Sequence, residues 1–309
     1  MSIDSFRPIT REGLAIVGLF WLVLGLSALV LLVVLVPLVY SIVRFRGRPG
    51  EPDPPQVAGN RTIEIIWTGG AFALVVVLFI GAVVTMQTVS AAAPTALRVE
   101  VIGHQWWWEY RYPDLGITTA NELHLPTGAS SQLEITSADV IHSFWVPQLG
   151  WKQDANPGQT HSMWVEVDQP GTLEGACAEF CGIEHGWMRI RVVAQPPDQF
   201  QAWAHQQQQP AAAPSTDVAR QGQQLFESNT CVNCHTIQGT AAHGQVGPDV
   251  THFGSRSTIG AGVLDNTPEN AQHWVQHADD VKRGVLMPNF NTLSDQEAQA
   301  LATYLESLK

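Results

Sequence analysis

Four metal-binding side chains lie within twelve residues, from Cys177 to Met188. The segment contains two cysteines four residues apart, and His142, in a strand-like run upstream, adds a further ligand. Thiolate, imidazole and thioether suit copper in electron-transfer sites, and a single blue copper needs only one cysteine. The second cysteine therefore predicts two copper ions that share both sulfurs. The predicted ligands are His142, Cys177, the carbonyl of Glu179, Cys181, His185 and Met188.

Two other kinds of site use the same residue types. Oxidising compartments favour a disulfide between Cys177 and Cys181, and tetrahedral zinc accepts cysteine and histidine ligands. All four cysteines of the chain fall in two cofactor motifs, so none remains for a separate structural disulfide. Copper is the prediction, with a disulfide and zinc as the alternatives.

A second redox motif lies downstream. Cys231, Cys234 and His235 form a C-x-x-C-H pattern, in which two thiols attach a c-type haem and the histidine ligates its iron. Met287 is the only methionine after this motif and is the predicted second axial ligand, a pairing that favours an electron carrier. One alternative is a thioredoxin-like dithiol, although no βαβ pattern surrounds the motif. The other is a core methionine with a second histidine on the iron: His243, His252, His273 or His277.

The copper segment resembles the binuclear copper centre, called CuA, of subunit II of haem-copper cytochrome c oxidases. The shared pattern is C-x-E-x-C-x-x-x-H-x-x-M after an upstream histidine. The resemblance covers about residues 14–195, and segments 103–108, 139–144 and 152–158 also match. Ala178 stands where the family usually has serine, and Gln159 stands where a basic or aliphatic residue is common. Neither departure replaces a ligand.

The same resemblance implies roles for three further side chains. The Glu179 carboxylate would reach a magnesium ion shared with the catalytic subunit, because a hard oxygen suits that ion, or would be a solvated acid. Trp106 would pass electrons from the donor into copper, with interface packing as the alternative. Glu64, one turn before the second apolar stretch, would open a proton entrance, or would cap a helix.

Residues 217–309 resemble class I cytochromes c. The segment from Met287 to Phe290 looks like the methionine-ligand loop of that family, and Gly247 and Pro248 look like the loop near the proximal histidine. The resemblance implies a small all-α domain that carries covalent haem c.

Two stretches without a charged residue, 14–40 and 68–86, are each long enough to cross about 30 Å of hydrocarbon as a helix. They predict a two-helix transmembrane hairpin, with helices at about 14–40 and 68–88. The first stretch is too long for a signal-peptide core and is predicted to be retained. The arginine bias places the connecting loop in the cytoplasm and both termini outside the bacterial inner membrane. The loop contains Arg44, Arg46, Arg48 and Arg61, against Arg7 and Arg11 ahead of it.

The rest of the chain predicts a multidomain protein. Short apolar runs broken by proline and glycine indicate an all-β sandwich, for which the resemblance implies a cupredoxin-like fold. A low-complexity run at 206–214 predicts a linker, and helical periodicity follows at 218–227, 268–277 and 294–308. The predicted domains are a tail and membrane hairpin (1–95), a CuA domain (96–195), a linker (196–216) and a cytochrome c domain (217–309).

The net charge of −12 is concentrated outside the apolar stretches. Residues 91–196 hold five basic and twelve acidic side chains, and residues 217–309 hold five and ten. An acidic exterior argues against nucleic acid as a partner and would steer a basic redox protein to the surface. Simple solubility is the alternative explanation.

These features predict subunit II of a bacterial proton-pumping cytochrome c oxidase with a fused cytochrome c. Electrons would pass from a donor, cytochrome c or another redox protein, to haem c and then to copper. Catalytic subunit I, which this chain would join with other oxidase subunits, would reduce oxygen to water. The alternatives are the CuA-bearing subunit of a nitric oxide reductase and a membrane-anchored copper-binding or assembly protein.

Overall fold

The computed structural model describes residues 6–47, 49–50, 52, 55–91 and 97–309. The predicted domain boundary between residues 95 and 96, and the loop arginine Arg48, lie outside these residues. The chain divides into two compact units, Leu14–Ala91 and a second unit that joins Met1–Gly13 to Ala92–Lys309. The second unit contains both predicted redox sites.

Two long helices, α1 (Arg11–Arg44) and α2 (Arg61–Val89), contain the charge-free stretches of the sequence. Their most apolar windows have mean hydropathies of 3.0 and 2.5, so both are long and apolar enough to cross a membrane. Asn60 caps α2, where its side-chain oxygen accepts hydrogen bonds from the backbone N–H groups of Thr62 (3.1 Å) and Ile63 (3.3 Å). The predicted pair of apolar helices is confirmed.

Residues 97–207 form a β-sandwich of ten strands with one helix beside it. The strands are β1 (Leu97–His104), β2 (Trp107–Tyr112), β3 (Ile117–Ala120), β4 (Glu122–Pro126), β5 (Ser130–Ser137), β6 (His142–Trp145), β7 (Gln153–Ala155), β8 (His161–Glu166), β9 (Gly171–Cys177) and β10 (Arg189–Gln195). One sheet has the order β3-β2-β1-β5-β8 and the other the order β4-β10-β9-β6-β7. Buried and less buried side chains alternate along β5 and β10, because only one face of each strand meets the core. The predicted sandwich is confirmed.

The structure differs from the expectation of a linker over residues 196–216. Helix α3 (Pro197–Gln207) occupies half of that range, and its Phe200 and Ala204 are buried in the core of the sandwich. Trp203 stacks on His124 of β4, with ring centroids 4.2 Å apart. These three side chains share one helical face, while the glutamines that gave the segment its low-complexity composition lie mostly elsewhere. Residues 208–216 have no helix or strand.

The C-terminal domain is helical, as predicted. Its helices are α4 (Asp217–Ser228), α5 (Cys231–Cys234), α6 (Pro268–Val281) and α7 (Asp295–Ser307), with a small hairpin of β11 (Thr258–Ile259) and β12 (Leu264–Asp265). Gly222 lets α4 pack closely on α7, since a Cβ at this position would lie 2.0 Å from the Ala300 carbonyl oxygen. Ser294 and Glu297 form the predicted capping box of α7.

Candidate copper and haem sites

Two paired strands and one loop bring the predicted copper ligands together. His142 begins β6 and Cys177 ends β9, and these strands pair with Phe144 opposite Cys177. The chain then forms a loop that carries Cys181 and His185, and Met188 is the last residue before β10. Ligands 46 positions apart in the sequence therefore meet at one end of one sheet.

The two thiols lie at the centre of this cluster. Cys177 Sγ is 3.8 Å from Cys181 Sγ and 3.9 Å from His142 Nδ1. Cys181 Sγ is 3.7 Å from His185 Nδ1 and 3.8 Å from Met188 Sδ. Each thiol therefore has one imidazole beside it, and the thioether lies next to Cys181.

The chemistry of this donor set fits a pair of copper ions. Both cysteines are free, and their sulfurs are well beyond the ~2.05 Å of a disulfide bond. Two thiols, two imidazoles and a thioether exceed the four ligands of a structural zinc site, and the thioether is a soft ligand that suits copper. His142 and Met188 are fully buried and both cysteines are at most 5% exposed, so water has little access.

Asp139 orients the His142 ring. Its carboxylate lies 2.8 Å from His142 Nε2, which leaves Nδ1 directed at Cys177. Burial disfavours the charged imidazole, but Asp139 and Cys177 together outweigh burial and raise the pKa of His142. Gly103 makes room for the ring, because a Cβ there would lie 2.7 Å from His142 Cδ2.

Contact between the two thiols separates their pKa values. The hydrogen bond with Cys181, assisted by His142, holds the pKa of Cys177 well below its usual value. The same contact with Cys177 raises the pKa of Cys181. One thiolate is therefore present at neutral pH, and the thiolate is the form that coordinates metal.

Glu179 presents two different groups to its surroundings. Its backbone carbonyl lies 3.3 Å from Cys177 Sγ, on the predicted copper cluster. Its carboxylate points away and forms an ion pair with Lys152, and both side chains are more than 40% exposed. The carbonyl and the carboxylate are thus placed to serve different partners.

The predicted haem ligands line one largely apolar cavity of about 390 Å³. Cys231, Cys234, His235 and Met287 all contribute to its walls, together with core side chains such as Phe253. Among the described residues that line it, His235 is the one histidine, and none of the four alternative axial histidines is present. A C-x-x-C-H motif, a thioether and apolar walls fit a covalently bound haem.

Backbone contacts orient His235 within this cavity. Its Nδ1 lies 2.8 Å from the Pro248 carbonyl oxygen, so Nδ1–H donates there and Nε2 is the nitrogen available to ligate the predicted haem iron. Burial lowers the pKa of His235, which keeps the ring neutral as ligation requires. A Cβ at Gly247 would lie 2.7 Å from the His235 ring, so glycine is needed for this close approach.

Comparison with known proteins gives the family. The family model for the periplasmic domain of cytochrome c oxidase subunit II matches residues 116–195, and the cytochrome c model matches residues 219–309. Cytochrome c oxidase subunit 2 of Alkalihalophilus pseudofirmus is 36% identical over 91% of this chain and 84% of that protein. Cytochrome c oxidase subunit 2 of Bacillus subtilis is 34% identical over 87% of this chain and 82% of that protein. The chain belongs to the cytochrome c oxidase subunit 2 family.

Membership of this family settles the broad function. The chain is an electron-transfer subunit of a cytochrome c oxidase, held in a membrane by apolar helices, with a periplasmic domain and other oxidase subunits as partners. The two family models imply a copper centre and haem c. A solved structure of the periplasmic domain of subunit II of the Bradyrhizobium japonicum oxidase is 30% identical, with a TM-score of 0.36. The match covers 38% of this chain and 96% of that chain. The relatives are oxidase subunits, which favours the oxidase over the nitric oxide reductase and assembly-protein alternatives.

Trp106 of this oxidase subunit lies between the two sites. It follows β1, is 7% exposed, and contributes to the wall of the haem cavity. Its indole N–H donates to the carbonyl oxygen of Cys181 at 2.9 Å, and Gln105 Nε2 donates to the same oxygen at 2.7 Å. Gly182 permits this approach, because a Cβ there would lie 2.8 Å from the Trp106 ring.

Lys282 is the residue of this region that sequence reasoning missed. It lies just after α6, is 2% exposed, and its Nζ donates to the carbonyl oxygens of Trp106 (2.6 Å), Trp187 (3.0 Å) and Gly260 (3.1 Å). Burial lowers its pKa to about 7, against an opposing effect of the Glu184 carboxylate. Its one sequence signal is that no other lysine occurs between residues 153 and 308.

Glu64 lies in the other compact unit, in the first turn of α2. Its backbone N–H donates to the Asn60 carbonyl at 3.0 Å. The first turn of a helix favours an acidic side chain, because the backbone N–H groups there are partly positive.

Proposed function

We propose that this subunit accepts electrons at its C-terminal domain and delivers them through its sandwich domain to a catalytic oxidase subunit. When bound, haem c and the copper pair supply one-electron redox chemistry. Cys231, Cys234, His235 and Met287 hold the haem in this proposal. The copper ligands are His142, Cys177, the Glu179 carbonyl, Cys181, His185 and Met188.

The position of Trp106 is the observation that carries the proposed order of transfer. Its ring lines the cavity that contains His235, and its N–H contacts the loop that contains Cys181. A single aromatic side chain therefore contacts both sites. A cytochrome domain in the same chain also replaces a collision with an intramolecular encounter, which raises the effective concentration of the donor.

The residues around the proposed copper ligands hold those ligands in fixed positions and keep water away from them. His142 is fixed by Asp139, and Cys177 is fixed at the end of a paired strand. Burial of Met188 and both thiols excludes water from the cluster. A rigid, dry site favours fast transfer because few atoms and dipoles rearrange when the charge changes.

The Glu179 carboxylate is the proposed ligand for a magnesium ion shared with the catalytic subunit. Its exposure allows a second subunit to approach, and a carboxylate oxygen is a hard ligand that suits magnesium. Lys152 holds this carboxylate in the isolated subunit and would have to release it.

Two further parts of the proposal concern the membrane, and a third concerns the electron donor. Glu64 is the proposed proton entrance for a proton-pumping oxidase, at the start of α2. The arginines between the helices support a cytoplasmic loop, with both termini on the periplasmic side of a bacterial inner membrane. The acidic surface supports a basic donor, cytochrome c or another redox protein.

Replacement of Met287 tests the proposed order of electron transfer, from haem c to copper. In the purified oxidase, Met287→Leu removes a proposed iron ligand and leaves every proposed copper ligand in place. We expect stopped-flow reduction of copper by the reduced donor to slow by about tenfold or more, since loss of an axial methionine changes the iron potential. Met163→Leu, in a fully buried position on β8, is the matched control. Copper reduction at the unaltered rate in Met287→Leu would contradict the proposal.

A further inference from the structure

Lys282 connects the C-terminal domain to two segments of the sandwich domain, the turn at Trp106 and the copper loop, which we define as residues 178–188. Of its three acceptors, the Trp106 carbonyl follows β1, and the Trp187 carbonyl immediately precedes Met188. The third, the Gly260 carbonyl, belongs to the domain of Lys282 itself. One side chain thus contacts two segments of the sandwich domain that lie more than 80 positions apart in the sequence.

The geometry matches the chemistry of an ammonium group. A lysine ammonium has three N–H donors and no acceptor, and three carbonyl oxygens within 3.1 Å satisfy all of them. The carboxylate of Glu184, a residue of the copper loop that is 5% exposed, attracts the same charge. One Glu184 oxygen has no hydrogen-bond partner among the described residues.

The neighbouring contacts are also close. A Cβ at Gly284 would lie 2.3 Å from Ile183 Cδ1 of the copper loop, so the chain after Lys282 approaches that loop without a side chain between them. On the other side of the interface Glu122 accepts hydrogen bonds from the Ser257 backbone N–H (2.8 Å) and hydroxyl. Arg191 donates to the same hydroxyl at 2.8 Å.

Net stability does not explain a buried lysine in this position. Removing a cation from water is costly, and an apolar side chain of similar volume often gives equal or greater stability. Directional hydrogen bonds are what an apolar side chain cannot replace. Because the acceptors are fixed backbone oxygens on three segments, Lys282 restricts the relative position of those segments.

We infer that Lys282 is a positioning residue that fixes the cytochrome domain against the turn at Trp106 and the copper loop. The inference rests on the proposed function, because it concerns the transfer step between the two sites. Without this contact, the hydrogen bonds of Ser257 with Glu122 and Arg191 would still join the two domains, but no side chain of the described residues would fix Trp106 and the copper loop to the cytochrome domain. Residues 208–216 would then let the two sites shift relative to one another. With it, the haem cavity and Trp106 keep one arrangement.

The test uses the intact oxidase complex and a photochemical pulse that reduces haem c. Copper reduction is followed in the unaltered protein, in Lys282→Met, and in Arg283→Met, which removes the same charge from an exposed neighbour. We expect transfer in Lys282→Met to slow by about tenfold or more and to become sensitive to solvent viscosity, because transfer would then wait for the two domains to reach the productive arrangement. Arg283→Met should match the unaltered protein. The haem and copper absorption spectra and both midpoint potentials should stay unchanged in every variant.

Three outcomes would overturn the inference. Transfer in Lys282→Met at the unaltered rate, without dependence on viscosity, would overturn it and leave the proposed relay intact. Viscosity-dependent transfer in the unaltered protein would overturn it even if Lys282→Met failed to fold. Absence of any haem-to-copper transfer in the unaltered protein would overturn the proposed relay and the inference together.

Discussion

The indole nitrogen of Trp106 donates a hydrogen bond to the carbonyl oxygen of Cys181 at 2.9 Å. Cys181 is a predicted copper ligand, and the Trp106 ring also forms part of the cavity wall near His235. The two predicted redox sites of this oxidase subunit therefore share one buried side chain.

Trp106→Phe should slow haem-to-copper transfer by about tenfold, because it removes the N–H contact to the copper loop and displaces the ring that joins the sites. Photochemical reduction of haem c, with copper absorption as the readout, measures this rate. Trp164→Phe, on the edge strand β8, is the control and should have no effect. If Trp106 served only to pack the interface, the transfer rate in Trp106→Phe would match that of the control.

Cys181→Ser should abolish the copper pair. The variant keeps only the Cys177 sulfur, and the proposed pair of copper ions needs two bridging sulfurs. Metal analysis should show a decrease from about two copper ions per chain to one or none, and electron paramagnetic resonance should show no electron shared between two coppers. Ala178→Ser is the matched control, since it adds a hydroxyl to the same loop without removing a ligand. Two coppers with an unchanged spectrum in Cys181→Ser would refute the assignment of this ligand.

Asp139→Asn should weaken copper binding by about 10–100-fold, because the carboxylate no longer orients the His142 ring. Competition with a chelator measures the affinity. Asp154→Asn, which changes an exposed carboxylate on β7, should leave the affinity unaltered. Equal affinities for the two variants would show that Asp139 does not support the metal site.

Thermal stability should fall as the pH decreases through about 6.5, the usual pKa of histidine. Burial lowers the pKa of His124, so the unfolded chain binds a proton at this residue more readily than the folded chain does. Stability from this residue is therefore present above that pH and is lost as the pH falls. We expect the melting temperature of His124→Phe to decrease less between about pH 7.5 and 5.5 than that of the unaltered protein.

His205→Phe is the control for this pH effect, because His205 is an exposed histidine on α3. Its melting temperature should decrease with pH as in the unaltered protein. An identical pH dependence in His124→Phe would rule out His124 as the source.

Local patterns were sufficient to predict much of this protein. The copper and haem motifs each span a few residues, so ligand type and spacing are visible without a fold. The membrane helices follow from uninterrupted apolar length, and the first turn of α7 follows from Ser294 and Glu297. In each case the physical cause lies in residues that are close in the sequence.

Only the tertiary structure decided how these parts are arranged. Helix α3 was missed because its buried face depends on Phe200, Trp203 and Ala204 meeting the sandwich, and an isolated segment with that composition has no core to bury. Lys282 was missed for a different reason, since its acceptors are backbone carbonyl oxygens. Every residue has such an oxygen, so no side-chain pattern distinguishes the three that meet one ammonium group once the chain has folded.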